Sequence, residues 1–448
     1  MASELHKSAS ARVPRYTSYP TATHFSSDID GTTGRRWLTE LPPDEAVSLY
    51  LHVPFCRKIC WYCACNMKLA LREEPLVAYA ADLIQHIELT ASHLPVAMSL
   101  AHVHWGGGTP TSLRPELMSA IMGRVHDRFL LNPDAEVAVE VDPRTFRNGI
   151  EHDLAGIGTT RVSVGVQEFD RGVQKIINRI QPYAQVCNVV DRLRAVGVRG
   201  INFDLMYGLP GQTCSTISKT MQKVLTLQPD RIALFGYAHV PWMAKRQIKV
   251  SDDLLPNPQE RLEQANMAAD ILVGAGYIRI GLDHFVRPDD GLYSAFKDHC
   301  LIRNFQGYSD DPARTILGIG SSAISSLPQG YCQNITETGA WSRCIAKDLL
   351  PVARGCILTP EDLVRRDIIM ELMCYLQADV GLISRRHGWA EDKFDANVDA
   401  CKAPPLDESV TIEGRRIKLH ENARIMIRVI AQQFDQYNFS TNAHSSAV

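Results

Sequence analysis

The segment CRKICWYCAC, residues 56–65, places four of the chain's 12 cysteines within ten positions. The spacing is C-x3-C-x2-C followed by x-C. Thiolates gathered this densely can hold zinc or an iron–sulfur cluster, although a chance grouping of small residues is a third reading. Zinc sites usually pair two cysteine knuckles or add distant histidines, and no second knuckle follows here. The spacing also departs from the ferredoxin patterns. For an iron–sulfur cluster the number of protein ligands decides the chemistry. A thiolate on every iron makes an electron carrier, whereas an open iron lets the centre bind a reactant.

The elements that must position this segment are legible from the patterning. Short β-rich runs occur at SLYLHV (48–53), HVHWGG (102–107), EVAVEVD (136–142), RVSVGVQ (161–167), INFDLMYGLP (201–210) and RIALFGYAHV (231–240). Helical patterns lie between them at 75–93, 114–128, 183–196, 213–227 and 258–275. This alternation implies βαβ units and a parallel sheet in an α/β fold. Six units, or seven with YIRIGLDHF (277–285), fit an open or partial (β/α) barrel. The cysteines follow the first run directly, so they fall in the first βα loop. Other runs end in polar or glycine residues: His52, Gly106, Gly107, Gly108, Glu140, Asp142, Gln167, Asp204 and His239. Barrel enzymes carry their chemistry at these C-terminal strand ends. The glycines of GGGTP (106–110) permit close approach of a ligand to backbone, or simply form a tight loop. Glu140 suits ribose hydroxyls, or is a surface carboxylate.

Three parts are expected. Residues 1–40 read as an extended N-terminal arm, because Pro14 and Pro20 oppose a helix there and PRYTSYPTA suits a docking segment. Residues 41–345 form the barrel. Residues 346–448 form a small helical, winged-helix-like domain, opened by a helix at 359–376 with Thr359 as N-cap and Pro360 behind it. A short strand and a helix are expected within 414–435.

Composition narrows the partners. With 47 Lys+Arg against 50 Asp+Glu, the formal charge is −3, and no basic field recommends nucleic acid or an anionic membrane. No apolar run is long enough for a membrane span, and the N-terminus lacks the apolar core of a secretory signal. A cytoplasmic monomer is expected. The eight remaining cysteines (Cys187, Cys214, Cys300, Cys332, Cys344, Cys356, Cys374 and Cys401) are irregularly spaced and read as small buried hydrophobes.

The C-x3-C-x2-C segment after the first strand resembles the radical S-adenosylmethionine superfamily. The likeness extends through PRYTSYPTA, LYLHVPFCRKICWYCACN, HWGGGTPT, VEVDPR, GVQEFD, NFDLMYGLPGQT, YAHVP, DHFVRPDD, RNFQGY and SAIS. Together these motifs resemble the oxygen-independent coproporphyrinogen III oxidase family from residue 14 to about 435. Haem-delivery relatives on the same scaffold usually carry an aromatic residue at the position of Cys65 and lack the RYTSYPT arm, so both features favour the oxidase branch over a haem chaperone. The resemblance implies a partial (β/α)6 barrel with a C-terminal helical domain and one [4Fe–4S] cluster on Cys56, Cys60 and Cys63. Cys65 is left as a neighbour, and the open iron serves S-adenosylmethionine.

Two S-adenosylmethionine molecules are implied. The first would meet Tyr50, Gly107, Glu140 and Ile324, and the second Tyr62, Gly108, Thr109, Gln167, Arg179, Asp204 and Ala238. The implied reaction is oxidative decarboxylation of two propionates of coproporphyrinogen III to vinyl groups, started by a 5′-deoxyadenosyl radical and giving protoporphyrinogen IX. An electron donor for the cluster and an electron acceptor are required partners. No protein acid–base pair is nominated. Arg15, Arg287 and Arg303 are candidates for the substrate carboxylates, since guanidinium forks suit them.

Overall fold

The structure is a computed structural model and describes residues 13–437. Six parallel strands follow the expected runs: β1 (Val47–Val53), β2 (Ser99–Gly107), β3 (Leu130–Val141), β4 (Arg161–Gln167), β5 (Gly200–Tyr207) and β6 (Arg231–Gly236). The segment 277–285 does not add a seventh parallel strand. It folds as a hairpin of β7 (Ile278–Ile280) and β8 (His284–Val286), and β8 pairs antiparallel with β6. The seventh parallel strand is β9 (Thr315–Ile319), which pairs with the other side of β1. Beyond it, β10 (Ile324–Leu327), β11 (Gly330–Asn334) and β12 (Val352–Ile357) continue the sheet antiparallel. The order is β12-β11-β10-β9-β1-β2-β3-β4-β5-β6-β8-β7, an open sheet rather than a closed barrel.

Each of β1 to β6 is followed by a helix of its βα unit. α2 (Glu74–Ser92) packs on α3 (Pro115–Arg128), and α7 (Cys214–Leu227) packs on α8 (Pro258–Gly274). Their apolar stripes and the strands form one core, with Leu49, Leu51, Val139, Val162, Val164 and Phe203 essentially free of solvent.

The arm is not wholly extended. Gly31–Thr39 forms α1, capped by Asp30, whose carboxylate accepts from Thr33 N at 2.9 Å, and held by buried Trp37 and Leu38. Upstream, Val13, Tyr16 and Tyr19 enter a second core built by the C-terminal residues. Tyr16 donates to Asp435 Oδ2 at 3.0 Å, and Gln436 N donates to the Tyr19 hydroxyl at 3.1 Å. Tyr19 is fully buried, so Tyr19→Ala should cost about 3–5 kcal/mol, read as a lower denaturant midpoint at unchanged slope.

Strand β12 lies beyond residue 346 yet belongs to the large sheet. The second core starts at Val364 on helix α11 (Pro360–Tyr375). Thr359 caps α11 in a reciprocal box: its hydroxyl accepts from Asp362 N, and Asp362 accepts from Thr359 N. After α11 come β13 (Gln377–Asp379), α12 (Val380–Arg386), α13 (Asp395–Ala400), the hairpin β14 (Val410–Glu413) and β15 (Arg416–Leu419), and α14 (Ile427–Gln432). All 12 cysteines are free, but of the eight outside the cluster only Cys332, Cys374 and Cys401 are buried; Cys300 is exposed. Among the described residues no helix is long and apolar enough to cross a membrane.

Candidate active site

A cavity of about 430 Å³ opens over the C-terminal ends of the parallel strands. Strand alternation supplies its floor. Along β4, Val162, Val164 and Val166 are buried in the core, while Ser163, Gly165 and Gln167 line the cavity. Register carries this layer sideways, with Glu140 opposite Ser163 and Gly165 opposite Asp204.

The loop after β1 supplies the thiols. Phe55 and Cys56 pair with Lys68 and Leu69, closing the loop at its base. Arg57 ties it from both sides, donating to the carbonyls of Ala70 and Ser112 at 3.1 Å each. Trp61 N donates to Ile177 O at 3.0 Å, and Asn178 Nδ2 donates to Ile59 O at 2.9 Å. These anchors turn Cys56, Cys60, Cys63 and Cys65 to one cavity wall.

The surroundings of the thiols suit anionic sulfur. Arg144 Nη2 and Arg179 Nη1 donate to Cys60 Sγ at 3.1 and 3.3 Å. Thr109 Oγ1 donates to Cys56 Sγ at 3.4 Å, and Cys65 N donates to Cys63 Sγ at 3.4 Å. Asp142 holds the two arginines: Arg144 Nη2 reaches its Oδ2 at 2.6 Å and Arg179 Nη1 at 3.4 Å. Two buried cations therefore face one carboxylate, leaving one positive charge for the thiol side. Hydrogen bonds from Cys65, together with Arg246 and Arg179, hold the Cys63 thiol below its usual range despite burial.

The glycines work by close approach. Gly107 has φ 111°, a conformation that favours glycine, and its N–H donates to Glu140 Oε2 at 3.2 Å. A Cβ on Gly108 would stand 2.7 Å from the carbonyl oxygen of Phe55. Asp204 accepts from Ser163 Oγ at 2.8 Å and from Asn202 Nδ2 at 2.9 Å. The carbonyls of Tyr62 and Ala238 are bridged by Gln247 Nε2 at 2.6 and 3.1 Å.

Cys56, Cys60, Cys63, Tyr62, Gly107, Gly108, Thr109, Glu140, Gln167, Arg179, Asp204 and Ala238 all line the cavity. Tyr50 and Ile324 do not. Tyr50 lies three residues before the end of β1, where its hydroxyl hydrogen-bonds His52 Nδ1 at 3.0 Å and its ring stacks on His104. Ile324 opens β10 and packs its backbone against Gly318.

Residues 50–224 match the family model of the radical SAM superfamily. The oxygen-independent coproporphyrinogen III oxidase of Bradyrhizobium diazoefficiens is 44% identical over 438 residues, covering 98% of this chain and 97% of that protein. The protein of the same name from Paracoccus denitrificans is 41% identical, with the same coverage of both chains. The solved structure of coproporphyrinogen III oxidase (HemN) from Escherichia coli, described as a radical SAM enzyme, superposes with a TM-score of 0.90 at 34% identity, over 95% of this chain and 100% of that one.

The chain belongs to the oxygen-independent coproporphyrinogen III oxidase family.

A radical SAM enzyme of this family carries a [4Fe–4S] cluster, and the donors around the cavity's thiols fit an anionic one. Cationic and neutral donors meet the sulfurs of Cys56, Cys60 and Cys63, and the surplus positive charge of Arg144 and Arg179 over Asp142 is directed at Cys60. Asp142 is one of the polar strand ends legible in the sequence, whereas Arg144, two residues further on in VEVDPR, emerges as a site residue only from the fold. The signal was the ion-pair sequence itself, one residue past a strand end. His104, stacked on Tyr50, emerges only from the fold, whereas His52, a polar strand end in the sequence, meets the Tyr50 ring at a tilt. Of the three arginines nominated for carboxylates, Arg287 pairs with Asp289 at 3.3 Å, is 41% exposed and lines neither this cavity nor its neighbour. β8 runs antiparallel to β6, so Arg287, which follows β8 and donates its N–H to Asp230 O just before β6, lies at the end of the sheet opposite the cavity.

Proposed function

We propose that the chain removes the carboxyl groups of two propionate side chains of coproporphyrinogen III oxidatively and without oxygen, leaving vinyl groups and giving protoporphyrinogen IX. The observation that carries this reading is the shared cavity of Cys56, Cys60 and Cys63, with cationic donors on their sulfurs, in a chain 44% identical over its length to a named oxidase. Those three cysteines are assigned to a [4Fe–4S] cluster. Tyr50, Gly107, Glu140 and Ile324 are assigned to a first S-adenosylmethionine, and Tyr62, Gly108, Thr109, Gln167, Arg179, Asp204 and Ala238 to a second, on the family's motif positions. When bound, the cluster and S-adenosylmethionine supply one-electron chemistry and a radical able to abstract hydrogen.

The chain's own residues orient and shield. Gly107 and Gly108 let their loop close on His52 and Phe55, where a Cβ would stand 2.6 and 2.7 Å from the nearest atoms, and this tight contact sets the cavity floor. Glu140 and Asp204 present carboxylate oxygens to hydroxyl and amine donors. Met67, Met206 and Phe235 close the walls against water. No side chain has to move a proton at the abstraction step. Each propionate loses one hydrogen atom, one carbon dioxide and one electron, so a reductant for the cluster and a separate electron acceptor complete the reaction. The protein works as a monomer, each chain carrying a whole site. Anaerobic incubation of the reconstituted protein with coproporphyrinogen III, S-adenosylmethionine and a reductant tests the reading. Vinyl product is expected; stoichiometric haem binding without vinyl product would overturn it.

Asp204 makes the site pH-sensitive. Removal from water and the nearby charge of Glu140 push its carboxyl up to about 6. Its folded value lies above the unfolded one, so stability falls as pH rises from about 4 to about 6 and is level above that. The ionised form is the better acceptor. S-adenosylmethionine affinity, measured by equilibrium dialysis, should rise as pH passes through about 6, and Asp204→Asn should flatten that rise.

A further inference from the structure

A second cavity, about 590 Å³, adjoins the first. It is enclosed by β6, α8, the β7–β8 hairpin and residues 421–428 of the C-terminal unit, with Arg15 of the arm at the junction. The two cavities share Arg15, Phe235, Gly236 and Tyr237, and Arg15 Nη2 donates to Gly236 O at 3.2 Å on that common wall.

Six arginines line it: Arg15, Arg261, Arg279, Arg303, Arg424 and Arg428. The carboxylates among its walls are Asp270, Asp283 and Glu421. They do not balance the arginines. Asp283 accepts from His284 Nδ1 at 2.8 Å and faces Arg303 at 3.9 Å, Glu421 is paired with Arg424 at 2.7 Å, and Asp270 is exposed. The protein's remaining acceptors are mostly carbonyls. Arg261 donates to Tyr237 O at 2.8 Å, Arg279 to Leu282 O at 3.0 Å, and Arg428 to Pro14 O at 2.9 Å. Donors are left over. Nε of Arg261, of Arg279 and of Arg303, and Nη1 of Arg303, are buried without a hydrogen-bond acceptor among the described residues, and Arg303 is only 9% exposed. Burial lowers the pKa of Arg261, Arg279 and Arg428, and in each case a neighbouring arginine adds to the lowering. Buried polar groups in folded proteins are normally satisfied, and uncompensated buried cations are costly. A cavity that collects both is built for an anion.

We infer that this arginine-lined cavity seats the propionate carboxylates of the tetrapyrrole that are not reacting, while the reacting propionate enters the thiol cavity across the Arg15–Gly236 wall. The inference rests on the function proposed above. Several separated guanidinium forks call for several planar carboxylates rather than one compact anion, and Phe235, Phe285 and Leu262 supply apolar surface for the macrocycle between them. The volume lies in the range of small-molecule sites.

Binding of coproporphyrin III, the stable oxidised tetracarboxylate, to the reconstituted full-length protein tests this by fluorescence titration, without turnover. Arg261→Gln and Arg279→Gln stand on α8 and β7, outside the thiol cavity. Each should weaken binding by about tenfold, whereas Arg385→Gln, remote in the C-terminal unit, should leave it unchanged. Arg261→Lys, which keeps the charge but not the fork, should fall between. On the unmutated protein, coproporphyrin III tetramethyl ester should bind at least about tenfold more weakly than the free acid, an arm that needs no variant to fold. Coproporphyrin III binding that both Gln variants leave unchanged, or equal affinity for acid and ester, overturns the cavity's role and leaves the reaction standing. Absence of both coproporphyrin III binding and vinyl product in the unmutated protein overturns the reaction itself, and with it this site.

Discussion

Cys60→Ser should yield a folded protein with no iron–sulfur cluster and decarboxylation at background, and Cys56→Ser and Cys63→Ser should do the same. An alcohol is a poor substitute for a thiolate as a soft metal ligand, so a site with three cysteine ligands cannot lose one and keep its metal. Cys60 carries the largest electrostatic load, because Arg144 and Arg179 both donate to its sulfur. Cys65→Ser should behave differently. The Cys65 backbone N–H donates to Cys63 Sγ at 3.4 Å, which the substitution keeps, and a serine hydroxyl can replace the thiol in the side-chain hydrogen bond to Cys63. The cluster should survive and still respond spectroscopically to S-adenosylmethionine, with turnover reduced. Iron and acid-labile sulfide per chain, measured on all four variants after anaerobic reconstitution, decide the matter. An empty Cys65→Ser protein would mean that three ligands are not the whole set.

Asp142→Asn should destabilise the cluster-free protein by about 3–5 kcal/mol, and the reconstituted protein by clearly less. Asp142 is the buried carboxylate between Arg144 and Arg179, and the side chains of all three are less than one-tenth exposed. Removing it leaves two buried cations with no counter-charge, which costs more than losing an exposed pair. An anionic cluster beside Cys60 would return part of that compensation, so the difference between the two forms reports the charge coupling directly. Denaturant unfolding of each form gives the comparison. A pH series adds a second readout. Burial alone would raise the Asp142 carboxyl, but Arg179 and Arg144 outweigh it and hold it at about 2. Its stabilisation is therefore full above the ordinary carboxylate range near about 4 and is lost as pH falls towards 2. The Asn variant should lack that acid slope.

The sequence alone carried most of the architecture that presents the cysteines. The six parallel strands β1 to β6 and helices such as α2, α3, α7 and α8 agree with the patterned runs to within a few residues for most termini. Both periods, two along a strand and 3.6 along a helix, are local properties written in adjacent residues. The cysteine spacing is equally local, since all four thiols sit on one loop, and so is the run of Gly107 and Gly108. Their chemistry could be read before any contact was known.

What the tertiary structure decided was every meeting between distant segments. β9 is the parallel neighbour of β1, yet about 260 residues separate them, and TILGI reads no differently from any short buried apolar run. The run 277–285 has strand character, but whether it extends the parallel sheet or turns back as a hairpin depends on its pairing with β6. Helix α1 stayed hidden in the arm because its stability comes from burying Trp37 and from the Asp30 cap, which outweigh a poor helical composition. Arg144 and Arg179 converge on Cys60, and Arg15, Arg261, Arg303 and Arg428 on one cavity, from segments spread across the chain. No periodicity records such convergence. It is set by strand register and by how the arm and the C-terminal unit pack against the ends of the sheet, which only the folded chain defines.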